Sequence, residues 1–463
     1  MNENIFNEQG LFKFNDNEFV GIISKNNNNL EFTAINPIFI SEVDYLLVNG
    51  YVNGNKISFV MFNHPIFISS TQTRKETYSI NSLFVGKHFD DFNQIKFKNS
   101  SIKINNISST INRSSFQHYF PDGTENDYRP LIISPKDDYL INFEDFKIRV
   151  RLNCFYEKWG KLGNGEYANF KEDLSIIFEY HEPQNIDRIT NDALVLQNLF
   201  TFITGKSRII ELKGFDKEYE DEADIIIPLV SDEIIEGRQY PSAIQLTESN
   251  IENIIRRWFE NYTQLNSVYD LYFSLEEARL NPTSLFLTYA QILESYHRQR
   301  YEGTYINKKE FEKISKKVRR FLKETDEIKN IEDEDHKTDL LNKIKLSIMF
   351  SYEFTLHERL LELFNELSEY EFFETILNKF ISNHENRIND FALLVKDNRN
   401  YYTHYGKKKD NVLEGKDLIE LNESLKLIID MILLKEFEFP IDEINRITYE
   451  TKYFNLHDYV SWM

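Results

Sequence analysis

The hydrophobic pattern of this chain changes its period part-way along, and that change limits the folds open to it. Up to about residue 185, short β-branched and aromatic runs alternate with Asn, Gly and Asp clusters, which predicts strands joined by turns. Beyond about residue 240, apolar residues recur at helical spacing. We therefore expect a two-domain α+β protein, in which an antiparallel, sandwich-like β-rich domain precedes an all-α helical bundle.

The first domain, placed at residues 1–240, has its clearest strands between positions 45 and 62. Two β-rich runs there flank Asn49-Gly50 and Asn53-Gly54, dipeptides that tolerate the positive φ angles of tight turns. The segment 147–152 alternates polar with apolar residues, as a half-buried strand does. These patterns predict antiparallel hairpins.

A helix over 191–204 follows, with Thr190 as its N-cap and Gly205 at its end, and we expect it to cover the sheet. The second domain is placed at 241–463. Its predicted helical runs are 251–275, 285–300, 311–323, 340–367, 372–398 and 418–435.

Composition limits the cellular compartments in which the protein is expected. A single cysteine, Cys154, excludes an intramolecular disulfide framework, and the polar start lacks a secretory signal pattern. The longest apolar helical stretch, 421–439, is interrupted by charges, so we expect no membrane span. A cytoplasmic protein is the interpretation that fits.

The formal charge of −21 opposes a protein whose whole surface attracts nucleic acid, because phosphate binding depends on Lys and Arg. Any RNA site must be local. The basic run 308–323 is one candidate, and an ordinary solvated helix is the alternative.

A local motif carries the chemistry. Arg399 and His404 are separated by four residues near the end of a predicted helix. Arg offers a cationic fork for a phosphate, and His titrates near neutral pH, so it can move a proton. Arg399 continues the apolar stripe of Phe391 and Val395, so it should pair with a carboxylate or lie at a cleft or subunit seam.

The same spacing occurs once more, between Arg113 and His118 in the β-rich half. The later copy is distinguished by Asn400 directly after the Arg, by a helical run before it and by Tyr405 with a glycine after the His. A structural ion pair with a capping His remains the alternative for this copy.

These residues resemble the mark of HEPN-domain ribonucleases, an Arg, four to six residues and a His, often with a polar residue after the Arg. The wider chain resembles the ApeA type of bacterial anti-phage defence protein, which joins a β-rich domain to a C-terminal HEPN domain. Supporting phrases lie at 196–205 and 290–298.

The resemblance implies a helical domain that forms a homodimer and a metal-independent endoribonuclease site composed from two copies. His404 would be the general base or acid, Arg399 would bind the phosphate, and Asn400 would orient one of them. Glu294 is a second candidate, for holding Arg399 in a bidentate pair, and an ordinary solvent-facing glutamate is the alternative. Tyr405 is a supporting candidate as an aromatic that can stack on an unpaired base, and core packing is the commoner use of such residues.

The implied function is abortive infection: RNA, with transfer RNA as a candidate, is cut to 2′,3′-cyclic phosphate and 5′-hydroxyl ends after an unknown phage-derived trigger. A non-catalytic HEPN-like module for dimerisation or for binding nucleic acid or protein is the alternative. No cofactor or metal is expected. His357 begins a zinc-protease-like helix but has Leu361 in place of the second His, and His297 is interpreted as a packing or surface residue.

Overall fold

The fold is taken from a computed structural model, which describes residues 5–15, 17–26, 29–36, 43–69, 73–105, 107, 110–111, 116–118, 131–133, 137–162, 165–217, 222–227, 243–278, 280–382 and 385–460. The chain forms two compact units, Met1–Phe259 and Glu260–Met463. The boundary predicted near residue 240 lies outside the described residues. The observed division falls within the helix Ile251–Gln264.

The first unit is built mainly from strands. They are β1 (Gln9–Phe14), β2 (Asn17–Asn26), β3 (Asn29–Ile35), β4 (Tyr45–Val52), β5 (Asn55–Ser69), β6 (Lys75–Val85), β7 (Lys96–Ile104), β8 (Phe116–His118), β9 (Leu131–Ile133), β10 (Tyr139–Asn142), β11 (Phe146–Leu162), β12 (Gly165–Asn185), β13 (Ile209–Phe215) and β14 (Ala223–Ile226). Two helices follow within or at the end of this unit, α1 (Ile186–Thr204) and α2 (Ile251–Gln264).

Six of these strands close into a barrel. Their order is β6-β3-β2-β1-β4-β5, and β5 pairs again with β6, so the ring has no free edge. Every pair in the ring is antiparallel. The interior holds Phe12, Phe32 and Phe59, with ring centroids 4.9 Å (Phe12 to Phe32), 5.7 Å (Phe12 to Phe59) and 4.7 Å (Phe32 to Phe59) apart. The β-rich, antiparallel prediction is confirmed, with a closed barrel where a sandwich-like form was expected.

The β4–β5 hairpin shows which dipeptide makes the turn. Asn53 and Gly54 connect the strands with φ angles of 50° and 82°. Asn49 and Gly50 lie inside β4 instead. A Cβ on Gly50 would lie 2.9 Å from the Cα of Phe12, so this glycine serves close strand packing and not a turn.

Six further strands extend the sheet from β6 in the order β14-β13-β7-β12-β11-β10, and β8 and β9 form a separate two-stranded sheet. The long hairpin of β11 and β12 pairs from Phe146 with Tyr180 to Leu162 with Gly165. Within β11, Ile148 and Val150 are buried, which confirms the predicted alternation.

Helix α1 begins earlier than predicted. It starts at Ile186 because Asn185 is its N-cap, whose side chain accepts a hydrogen bond from the Arg188 amide. Thr190 is therefore inside the helix. Its predicted end is confirmed, since Gly205 adopts the left-handed conformation and its amide donates to the Thr201 carbonyl.

The second unit is helical, as predicted. Its helices are α3 (Asn266–Glu277), α4 (Pro282–Arg300), α5 (Lys308–Glu324), α6 (Asp326–Lys329), α7 (Glu334–Ile348), α8 (Leu356–Glu366), α9 (Glu371–Phe380), α10 (Arg387–His404), α11 (Gly415–Lys435) and α12 (Ile441–Val460). Aromatic rings tie α8, α9 and α10 together, with Phe364 5.6 Å from Phe373 and 5.3 Å from Phe391.

Some predicted helices are divided. The run 340–367 becomes α7 and α8, because Thr355 and Glu358 form a capping box that starts a new helix. The run 372–398 becomes α9 and α10, and α10 continues to His404. Among the described residues, no helix has both the length and the apolarity that crossing a membrane requires.

Candidate functional site

The end of α10 sets the positions of the predicted catalytic residues. His404 is the last helical residue, and Tyr405 after it is left-handed, with φ 48° and ψ 39°. The Tyr405 amide donates to the Tyr401 carbonyl at 2.6 Å. Arg399 and His404 therefore share one helix, and at 3.6 residues per turn they point about 140° apart around its axis. One chain does not bring both side chains to the same face.

Arg399 lies at the surface end of a buried stripe. Phe391 and Val395 on that stripe are fully buried, whereas the Arg399 side chain is 37% exposed. Its Nη2 lies 3.8 Å from Oε2 of Glu294, and its Nη1 donates to Oδ1 of Asn400 at 3.4 Å. The guanidinium is thus next to a carboxylate but accessible to an incoming phosphate.

The bidentate pair predicted between Glu294 and Arg399 is not formed. Oε1 of Glu294 instead accepts two hydrogen bonds from Arg298, at 3.2 Å from Nε and 3.0 Å from Nη2. Arg298 also donates from Nη1 to Glu353 at 2.8 Å. Because Arg298 lies one turn from Glu294 on α4, it binds the carboxylate more closely than Arg399 does.

His404 is exposed and makes no hydrogen bond or ion pair with the described residues of its own chain. Asn400 is also exposed, and its oxygen faces Arg399. The neighbouring Thr403 hydroxyl donates to the Arg399 carbonyl at 2.7 Å. The imidazole is therefore open to solvent and substrate.

A buried amide on α10, missed by sequence reasoning, fixes the chain after the motif. Asn398 is fully buried and donates from Nδ2 to the carbonyls of Leu394 and Asn411, each at 2.9 Å. Its Oδ1 accepts from the Leu413 amide at 2.8 Å. Asn398 thereby binds the segment after His404 back onto the helix. Its spacing of three from Val395, on the apolar stripe, was the available signal.

Asp397 and Tyr402 strengthen the same attachment. Asp397 accepts from Lys409 at 2.8 Å and from Asn411 at 2.9 Å, and the Tyr402 hydroxyl donates to the Leu413 carbonyl at 2.5 Å. Burial opposes ionisation of Asp397, but the hydrogen bonds from Lys409 and Asn411 outweigh it and hold the pKa of Asp397 below its ordinary value.

His297 is buried and fully hydrogen-bonded, which fits the packing interpretation. Its Nδ1 lies 3.1 Å from Nη1 of Arg359, a donor, so the proton is on Nε2, which is 2.6 Å from Glu362. Burial lowers the pKa of His297, and Arg359 acts in the same direction against the hydrogen bond to Glu362. Gly303 has a φ of 55°, which favours glycine, and a Cβ there would also lie 2.5 Å from Arg359 Nη1.

The basic run forms α5, which lies in the segment from residue 304 to residue 353. The two ends of this segment contact each other. Thr304 and Glu353 form an antiparallel bridge, and the Phe354 amide donates to the Gly303 carbonyl at 2.7 Å. Considering the described residues, no carboxylate lies within ion-pair distance of the cations on α5. These cations are Lys308, Lys309, Lys313, Lys316, Lys317, Arg319, Arg320 and Lys323. We call this set the α5 basic face.

Comparison with known protein families decides the classification. Residues 7–262 match the family described as ApeA N-terminal domain 1, and residues 287–443 match Apea-like HEPN. The chain belongs to the ApeA family. No curated protein matches it. A solved structure titled "MrkH, A novel c-di-GMP dependence transcription regulatory factor" aligns at 10% identity over 42% of this chain and 84% of its own, with a TM-score of 0.14.

The resemblance to ApeA-type proteins with a HEPN domain is thereby confirmed. Membership of this family indicates anti-phage defence with a HEPN nuclease module. The ApeA HEPN match spans Glu294, the α5 basic face and the motif at Arg399–His404. The other Arg-His pair with this spacing, Arg113 and His118, lies in the ApeA N-terminal domain. Arg113 is outside the described residues, and His118 is described only by its backbone in β8. Within the described ranges, no group of three His, Cys, Asp or Glu residues could hold a metal ion.

Proposed function

We propose that this ApeA-family protein is an endoribonuclease that cuts RNA at Arg399 and His404 without a metal. The observation that carries the proposal is the placement of both side chains on the final turns of α10, accessible to solvent, beside a segment anchored by Asn398. An accessible guanidinium binds a phosphate, and an accessible imidazole transfers a proton.

In the proposed reaction, the RNA 2′-oxygen attacks the adjacent phosphorus while the bond from phosphorus to the 5′-oxygen breaks. The products are a 2′,3′-cyclic phosphate and a 5′-hydroxyl. One His404 accepts the 2′-hydroxyl proton, and a second protonates the leaving 5′-oxygen. Arg399, oriented by its hydrogen bond to Asn400, stabilises the charge that develops on the phosphoryl oxygens.

A homodimer supplies the second His404 in this proposal. The angle of about 140° between Arg399 and His404 on one helix supports it, because a second α10 related by a two-fold axis places complementary side chains together. The substrate is cellular RNA, with transfer RNA as the first candidate, and a phage-derived signal releases the activity.

The test incubates purified wild type, Arg399→Ala and His404→Ala with total cellular RNA and excess chelator, with and without infected-cell lysate. We expect cleavage by wild type alone, with cyclic-phosphate ends. Circular dichroism and thermal midpoints of the variants check that each is folded. Absence of cleavage by wild type under both conditions would favour the non-catalytic binding module. The lack of an orienting partner for His404 among the described residues of the single chain also favours that module.

A further inference from the structure

A cleft beside the catalytic motif has no role in the proposed reaction. It has a volume of about 420 Å³ and is formed by the last turn of α10, the start of α4 and the start of α11. Tyr401, Tyr402 and Tyr405 line one side, and Thr283 and Glu414 contribute polar groups. This size is within the range of small-ligand pockets. We call it the tyrosine cleft.

Tyr405 has two properties that packing does not explain. Its side chain is 67% exposed, and its φ of 48° places it in the left-handed region. Glycine is the usual residue at this position after a helix, and an aromatic residue adopts the conformation only under strain. The next residue, Gly406, is a glycine, but the left-handed position itself is occupied by a tyrosine. Strained, exposed residues of this kind are typical of binding sites.

The three tyrosine rings of the cleft pack against one another. Tyr401 and Tyr405 have ring centroids 5.8 Å apart at an angle of 60°. Tyr402 contacts both rings, at 5.2 Å and 6.3 Å, while its hydroxyl is held by Leu413. One ring is thus anchored, and the exposed ring of Tyr405 remains available for stacking.

We propose that the tyrosine cleft binds a nucleobase of the single-stranded RNA whose phosphate Arg399 binds, with the base stacked on Tyr405. This rests on the proposed ribonuclease function. The charges favour the base over the phosphate as the occupant, because Glu414 lines the cleft and no Lys or Arg is among its described lining residues. Stacking accepts any base, so the cleft orders the strand without setting a sequence.

The test measures binding of a fluorescently labelled single-stranded 2′-O-methyl oligoadenylate, which lacks the attacking 2′-hydroxyl. Tyr405→Gly removes the ring and relieves the left-handed strain, so we expect binding about tenfold weaker with a thermal midpoint equal to or above that of wild type. Tyr405→Asn tolerates the same backbone and provides a second variant without the ring. Tyr405→Phe retains the ring and should bind as wild type does.

Glu438→Gly is the matched control, since Glu438 has a φ of 60° and does not line the cleft. It relieves a similar backbone strain and should leave the dissociation constant unchanged. If Tyr405→Gly and Tyr405→Asn bind as tightly as wild type, or if the full chain does not bind the probe, the cleft assignment is overturned.

Parallel cleavage assays separate this inference from the proposed function. If wild type cuts RNA and the ring-less variants bind and cut equally well, the ribonuclease stands and the cleft assignment fails. If binding depends on Tyr405 but wild type does not cut with lysate present, the cleft stands and the catalytic proposal fails.

Discussion

Arg399 and Glu294 face each other at 3.8 Å, measured from Nη2 to Oε2, which permits attraction but is too long for a hydrogen bond. Arg298 is closer to the same carboxylate. Glu294 is therefore shared, and Arg399 keeps available the donors that do not contact Asn400. A residue that must exchange its partner for a phosphate benefits from a weak contact in the unbound state.

The first prediction follows from this weak contact. Arg399→Ala should lower the rate of RNA cleavage about 10²–10³-fold, because the transition state no longer receives a charged donor. Arg399→Lys should also be impaired, since lysine has no planar fork. Glu294→Gln should lower the single-turnover rate by less than about tenfold, by analogy with a partly exposed ion pair. A decrease as large as that of Arg399→Ala would give Glu294 a direct role.

The second prediction concerns the dimer. Arg399→Ala and His404→Ala are each expected to be inactive alone. Because the proposed reaction uses the His404 of both subunits, a mixed dimer of the two variants holds a single imidazole and should not regain activity. The measurement is cleavage by the two variants after co-refolding, with mixed dimers verified by mass spectrometry. Recovery of about a quarter of wild-type activity would contradict this, because it would show that a site needs one Arg and one His from opposite subunits.

The third prediction concerns Asn398. Asn398→Ala leaves the Leu413 amide and the Asn411 carbonyl without their side-chain partner, so the free energy of unfolding should fall by about 1–3 kcal/mol. Cleavage should fall as well, although Arg399 and His404 are retained. Urea unfolding measures the first effect. As a stability control, exposed Asn400→Ala should change the free energy of unfolding by no more than about 0.5 kcal/mol.

The fourth prediction is a pH dependence of stability. The folded pKa of His297 is below the ordinary 6.5, so the unfolded chain takes up the proton first as pH falls. The contribution of neutral His297 is complete above about pH 6.5 and is lost as pH falls towards the folded pKa. In urea unfolding between pH 7.5 and 5.5, wild type should lose more stability than His297→Gln. Equal slopes for the two proteins would contradict this.

The fifth prediction concerns the α5 basic face. Lys316→Gln with Lys317→Gln should weaken RNA binding and reduce the salt-dependence slope by about 0.7 for each RNA phosphate that the variant no longer neutralises. The matched control is Lys379→Gln with Lys416→Gln, because both of these lysines are paired with Glu420. An unchanged slope in the first variant would show that RNA does not bind at α5.

Local signals in the sequence predicted local structure well. Asn53-Gly54 makes the expected turn and Gly205 ends α1, because their conformations depend on adjacent residues. Asn49-Gly50 carried the same turn signal but became part of a strand, since Phe12 packs against it from another strand. Local turn propensity contains no information about Phe12, because that residue is distant in sequence.

In the candidate site, too, local features were easier to predict than contacts between distant segments. Spacing selected Arg399, Asn400 and His404 as candidates, but the predicted helix stopped at residue 398, whereas α10 continues to His404. The expected bidentate pair of Glu294 with Arg399 does not form, because Arg298 competes for the carboxylate and its hydrogen bond to Glu353 depends on how α4 meets the chain before α8. The buried role of Asn398 likewise depends on the path of residues 411–413.

The sequence by itself determined the strand and helix periods, the Arg-His motif and, through its resemblance, the ApeA family. Tertiary structure alone decided that β5 returns to β6 to close a barrel, and that Tyr405 is held strained and exposed beside a cleft. The physical reason is the distance along the chain over which each kind of interaction acts. Backbone preferences act over a few residues, whereas closure, partner choice and strain arise from interactions between segments distant in the chain.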